Sequence, residues 1–194
     1  MSLLSRQVLP AETYLARLST ADWAKLSRRE VLLWGGQGQY EVMATTTADW
    51  ATAWAVLTDY GNFARFLPTV AKSQVIEADG PRTIVEQVDR RRILLSTLES
   101  VVRTENLEIS QQQISFRLVQ GNLTHMYGHW RLDEATPPTR ASPLRLVSQQ
   151  VHAEADVGPF KAMFYTLFES SLVETIQAIR QEMERRHRIT PGSR

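Results

Sequence analysis

Residues 144–183 read LRLVSQQVHAEADVGPFKAMFYTLFESSLVETIQAIRQEM, and the hydrophobic period changes partway along them. As far as Ala155 the pattern alternates. Val147, Val151 and Ala153 share one face with Gln149, as in a strand whose side chains point to opposite sides in turn. Beyond Pro159 the apolar residues recur every three or four positions: Phe160, Met163, Phe164, Leu167, Phe168, Leu172, Ile176, Ile179 and Met183. That is the period of a helix with one apolar stripe. Gly158-Pro159 marks the break, with proline at a first helical position that needs no N–H. Glu182 and Arg186, four apart, make a favourable pair on the opposite face. At 1.5 Å per residue such a helix runs for about 40 Å, enough to cross a whole sheet.

Upstream of this stretch helical periodicity is missing. Strands are predicted over 70–77, 83–91, 93–103, 107–119, 123–132 and 144–155. Their separators are Asp79-Gly80-Pro81, Glu105-Asn106, Gly121-Asn122 and a loop holding Pro137, Pro138 and Pro143. Connections this short make an antiparallel meander. Residues 40–46 are aromatic and β-branched enough for one more strand before it. Thr47 can then cap a helix over 48–57, with Trp50, Trp54 and Leu57 at helical spacing, and 63–67 forms another short turn before Pro68. The order is strand, two short helices, six strands, long helix. It predicts an α+β fold in which a curved antiparallel sheet of about seven strands wraps the C-terminal helix.

Residues 1–38 read as a helical N-terminal extension and linker. Pro10-Ala11-Glu12 can open one short helix, Ser19 or Thr20 can cap a second through Trp23 and Leu26, and Gly35, Gly36 and Gly38 interrupt the chain. The domain proper is expected over 39–188, and a disordered tail over 189–194.

The chain of 194 residues is 43% hydrophobic and 22% charged, values that exclude disordered and low-complexity classes and suit one domain with an appendage. No apolar run approaches the roughly 18 residues of a membrane span. Arg6, Glu12 and Arg17 interrupt the first 18 residues, which argues against a secretory signal, so a cytoplasmic protein is expected. The absence of cysteine excludes disulfides, thiolate metal sites and cysteine nucleophiles. A net charge of +1 makes no case for nucleic acid. Two arginine clusters, Arg90-Arg91-Arg92 and Arg185-Arg186-His187-Arg188, read as a strand edge and a helix end, or as a peripheral membrane or protein contact.

Catalytic constellations are thin. His125 and His129 stand four apart on one strand, about 13 Å by strand rise, and cannot share a metal ion, so no metal site is expected. There is no Gly-x-Ser-x-Gly elbow, and Gly35-Gly36-Gln37-Gly38 lacks the lysine of a phosphate loop. Glu86 and Glu99 lie in predicted strands. Each is either a catalytic base facing inward, with a carboxyl raised by burial, or an outer residue paired with Arg90 or Arg103.

Thr47-Ala48-Asp49, Trp54 and the run Leu57-Thr58-Asp59-Tyr60-Gly61-Asn62-Phe63-Ala64-Arg65-Phe66-Leu67-Pro68 resemble the opening signature of the START-like (SRPBCC) superfamily, specifically its polyketide cyclase/dehydrase and coenzyme Q-binding branch. Asp156 to Met183 resembles the closing helix of that family, so the likeness spans Gln39 to Arg186. The resemblance implies a helix-grip fold with a cavity between sheet and helix that holds a hydrophobic small molecule without a cofactor. Alternation nominates the inward faces: Ile114, Phe116 and Leu118; Met126, Gly128, Trp130 and Leu132; Val147, Gln149, Val151 and Ala153. The expected ligand-binding set is Trp54, Tyr60, Phe63, Phe66, Phe116, Met126, Trp130, Gln149, Val151, Met163, Phe164 and Leu167, with Gln149 and Tyr60 as orienting polar groups. Trp54, Tyr60, Phe63 and Phe66 serve equally as a core plug or a gate. Three functions follow: a carrier or sensor of a lipid, quinone or polyketide-like compound; an aromatase/cyclase or dehydratase; and a protein-interaction module.

Overall fold

Eight antiparallel strands form one sheet in the order β1-β2-β8-β7-β6-β5-β4-β3. They are β1 (Leu32–Gly36), β2 (Gln39–Thr46), β3 (Val70–Asp79), β4 (Arg82–Ile93), β5 (Ser96–Ser110), β6 (Gln113–Gly121), β7 (His125–Ala135) and β8 (Leu144–Glu154). The helices are α1 (Thr20–Ser27), α2 (Trp50–Leu57) and α3 (Lys161–Ile189), with 3₁₀ turns at Tyr60–Arg65 and Gly158–Phe160. This computed structural model describes residues 15–93, 96–138 and 141–189. The expected helix at Pro10-Ala11-Glu12 and residues 190–194 of the expected tail lie outside the described residues. The architecture is the helix-grip α+β fold, with α3 packed along β2 and β8 on the concave side.

One strand more is present than the sequence predicted. The glycines taken for a linker close a two-residue hairpin between β1 and β2: Gly36 pairs with Gln39, and Gln37 and Gly38 both have positive φ, at 52° and 94°. Two central residues with positive φ match the right-handed twist of a hairpin. Gly38 cannot be replaced freely, because a Cβ there would meet the backbone oxygen of Ala153.

The helix before that hairpin is part of the molecule's packing. Ser19 and Asp22 form a reciprocal capping box at the start of α1, each side chain accepting from the other's backbone N–H. Trp23 and Leu26 of α1 bury against Leu32, Met43 and Leu146 on the convex face. Arg29 anchors the same segment to α3, its Nη2 donating to both carboxylate oxygens of Glu184 at 2.7 and 2.6 Å.

Two local expectations are corrected. The predicted separator Glu105-Asn106 lies in the middle of β5, and the turn falls at Gln111-Gln112. Asn106 is tolerated there because its side-chain amide donates to the hydroxyl and carbonyl of Thr104. Asp49, two residues after Thr47, caps α2 by accepting from Thr52 N at 2.7 Å.

The main core lies between α2, α3 and the concave face. It is built on Val42 and Ala44 of β2, Ile114 and Phe116 of β6, Leu132 of β7, Val147 and Val151 of β8, and Leu172, Ile176, Ile179 and Met183 of α3. Gly128 makes room for an aromatic ring: a Cβ there would lie 2.9 Å from Cζ of Phe116 and collide with the backbone oxygen of Gln150.

Candidate functional site

Strand register fixes which side chains share the concave face. Val42 pairs with Gln149, Gln149 with Trp130, Trp130 with Ile114, and Ile114 with Glu108. One transverse row therefore crosses five strands. The next runs Tyr40, Val151, Gly128, Phe116, Asn106 and Thr83. The face is apolar from β2 to β6 and carries hydroxyls, amides and one carboxylate on β5 and β4, where Thr83, Thr104 and Asn106 are all buried.

Two buried polar atoms on this side have no hydrogen-bond partner among the described residues, Tyr60 Oη and Gln149 Oε1. Their residues are 6% and 9% exposed. Gln149 sits between Val42 and Trp130 in the row, and neither bonds its amide oxygen. Burial holds the Tyr60 phenol well above its ordinary value, and the nearby charge of Glu108 adds to the effect. Glu108 itself is half-buried and is raised by desolvation. Tyr40, on the same face, is pushed up to about 12 by burial first and then by donating to Glu169 at 2.9 Å.

Around these atoms the expected ligand-contacting residues divide. Phe116 and Val151 are buried in the core, and Met126, Trp130, Trp54, Phe63 and Phe66 pack half-buried against it. Tyr60, Phe63 and Phe66 form an edge-to-face chain with successive centroids 5.7 Å apart. Phe164 stacks on Phe168 at 5.8 Å, and Phe168 meets Tyr40 at the same distance. Leu167 is half-buried on a flank of α3. Met163 differs from expectation: it is 48% exposed beside Phe160, itself 61% exposed, at the start of the helix.

Glu86 and Glu99 do not reach the concave face. Glu86 accepts from Arg103 at 2.8 Å on the convex side, and that bond holds its carboxyl below the usual range. Glu99 is exposed and accepts from Arg90 at 2.7 Å. Both carry the parity opposite to Val85 and Thr104. The carboxylate that does face inward is Glu108, paired with Ile114. It lies in the strand predicted over 107–119, on the parity of Ile114 and Phe116, but the sequence reading names only Glu86 and Glu99 as candidate bases.

The arginine clusters are largely engaged. Glu182 accepts from Arg185 and from Arg186 at 2.7 Å, and Arg186 also donates to Asp59 at 2.7 Å. These groups, with Asn62 and Arg65, line a polar depression of about 430 Å³ on the outer surface. Arg90 pairs with Glu99, and the side chains of Arg91 and Arg92 lie outside the described residues. Among the described residues no three His, Asp or Glu side chains converge as a metal site, and no helix is long and apolar enough to cross a membrane.

The fold recurs in solved structures. An aromatase/cyclase, ZhuI from Streptomyces sp. R1128, superposes with a TM-score of 0.60 at 19% identity, over 84% of this chain and 100% of its own. A STAR-related lipid transfer protein from Xanthomonas axonopodis gives 0.57 at 16% identity, over 79% and 92%. A START superfamily protein from Mycobacterium smegmatis gives 0.52 at 15% identity, over 77% and 97%. No curated protein sequence matches the chain. The sequence model described as polyketide cyclase/dehydrase and lipid transport matches residues 46–180, which run from the end of β2 through the core-facing part of α3. The chain is therefore a member of the polyketide cyclase/dehydrase and lipid transport family.

Proposed function

We propose that this protein binds a hydrophobic small molecule, such as a lipid, a quinone including coenzyme Q, or a polyketide-like compound, between the concave face and α3, as a carrier or sensor. The observation that carries this reading is the pair of buried, unpartnered polar atoms, Tyr60 Oη and Gln149 Oε1, the second flanked in its row by the apolar Val42 and Trp130. A buried acceptor without a donor costs about 1–3 kcal/mol, and such costs persist at sites where a ligand supplies the partner. The membership of a family whose description includes lipid transport supports the same reading.

A second reading has its own observation. The charge of the half-buried Glu108 raises the buried Tyr60 phenol, and a carboxylate and a phenol brought to one substrate would serve as base and acid in a cyclisation or dehydration. The aromatase/cyclase among the structural neighbours is compatible with that chemistry.

Native mass spectrometry of freshly purified protein, followed by organic extraction, tests the binding reading. It requires a small apolar compound that leaves on denaturation, or uptake of an added apolar fluorophore that the extract displaces. Protein that carries nothing and takes up no apolar probe would overturn it. Chemical conversion of a bound compound, lost in Glu108→Gln while uptake persists, would replace the carrier with the enzyme.

A further inference from the structure

The two polar groups of the transverse row have a fixed relation. Gln149 on β8 and Glu108 on β5 stand three strands apart in direct register, with Trp130 and Ile114 between them. Three inter-strand steps of about 4.8 Å place their Cα atoms about 14 Å apart along the floor, and curvature and side-chain reach shorten the span between polar atoms. Both groups present hydrogen-bond acceptors. The Gln149 amide oxygen is buried without a donor, and no hydrogen bond or ion pair engages the Glu108 carboxylate among the described residues. The stretch between them is apolar: Ile114 is buried and Trp130 packs against the core.

A single polar anchor would suit any amphiphile. Two acceptors facing one apolar interval set a length and a pattern. We propose that the row selects an uncharged, elongated, apolar ligand with a hydrogen-bond donor near each end, one held by the Gln149 amide oxygen and the other by the Glu108 carboxylate, with the apolar frame along the half-buried Trp130. This rests on the ligand-binding reading above and adds the ligand's chemistry. Long-chain fatty acids fit it poorly, because a carboxylate end would face Glu108. Rigid diols and ring systems with a hydroxyl at each end fit it well.

The test uses three probes that differ only at their ends: biphenyl with a para hydroxyl on each ring, para-hydroxybiphenyl, and biphenyl. Affinities are measured by fluorescence or calorimetry on the full chain stripped of extractable compounds. A site built to bond a hydroxyl discriminates strongly against an analogue that lacks it. The diol is expected to bind about tenfold or more tighter than the mono-hydroxy probe, in line with one good buried hydrogen bond. Gln149→Leu and Glu108→Leu should each bring the diol down to about the mono-hydroxy affinity. Equal affinity for all three probes would overturn the two-donor pattern while leaving hydrophobic binding in place. Failure to bind biphenyl at all would overturn the ligand-binding reading itself. Circular dichroism of both variants separates loss of recognition from loss of folding, and a folded Glu108→Leu protein that keeps full preference for the diol would also refute the assignment.

Discussion

Replacing Gln149 by leucine should make the empty protein more stable while weakening its grip on ligand. The amide oxygen is buried without a donor, between Val42 and Trp130 along the row and between Val147 and Val151 along its own strand face. Removing an unsatisfied buried acceptor recovers about 1–3 kcal/mol, and an apolar side chain of similar volume keeps the burial. Imperfect shape takes back up to about 1 kcal/mol. The net gain is about 0.5–2 kcal/mol, which for a chain of this size raises Tm by about 2–6 °C. Urea denaturation and calorimetry on protein stripped of ligand provide the measurement, with an unchanged m-value showing that the unfolded state is not the cause. Ligand-loaded Gln149→Leu should show the opposite order and lose more than it gained. A Tm below that of the wild type in the stripped state would refute the reasoning, because it would mean the amide already has a partner.

Three further outcomes concern stability. Glu182 is buried with a carboxyl held at about 2 by hydrogen bonds from Arg185 and then Arg186, so its contribution is complete above its ordinary 4.5 and disappears as pH falls from there to about 2. Glu182→Gln should cost about 2–3 kcal/mol at neutral pH, discounted for the half-exposed Arg185, and should flatten the acid limb of the stability profile in that window. His129, on the convex face, is held at about 4 by burial, so the folded state keeps it neutral and loses stability as pH falls from 6.5 to about 4. His129→Gln should remove that earlier part of the loss, and an unchanged profile between those values would contradict it. Truncation before Gln39 should lower Tm by about 10 °C or more or cause aggregation, since it bares Met43 and Leu146 and leaves Glu184 without Arg29. A truncated protein with wild-type stability would show that the N-terminal packing is dispensable.

The order of elements was legible because period is a local property. The change at Gly158-Pro159 and the alternation around Trp130 and Gln149 can be read within a dozen residues. Their shared face then follows from pairing neighbours in a meander. What escaped notice was non-local. Nothing in Leu32-Leu33-Trp34-Gly35-Gly36 announces a strand until β2 lies beside it. The packing of Trp23 and Leu26 likewise depends on a convex face formed by residues far along the chain. The extent of β5 was hidden by a turn signal that tertiary pairing overrode: Glu105 sits in an ion-pair ladder between Arg82 and Arg117, and Asn106 satisfies its own strand. The exposed start of α3 was hidden for a related reason. Periodicity gives the direction of a helical stripe and not where the sheet beneath it ends.

Those misplaced pieces bear on how the site is supported. The strands β2 and β8 are covered on both faces, by α3 on the concave side and by α1 on the convex side, and their residues are among the most deeply buried. Among the described residues no helix packs behind the other half of the sheet. Its convex face is held by exchanges of charge between Glu86 and Arg103, between Glu105 and both Arg82 and Arg117, and between Glu99 and Arg90. Exposed pairs of this kind contribute little each, so that half owes its position chiefly to strand pairing. Gln149 belongs to the doubly covered half and Glu108 to the other. A ligand bonded at both would therefore tie the weakly supported wall to the rigid one, and the stability now forgone at Gln149 would return as cohesion across the sheet.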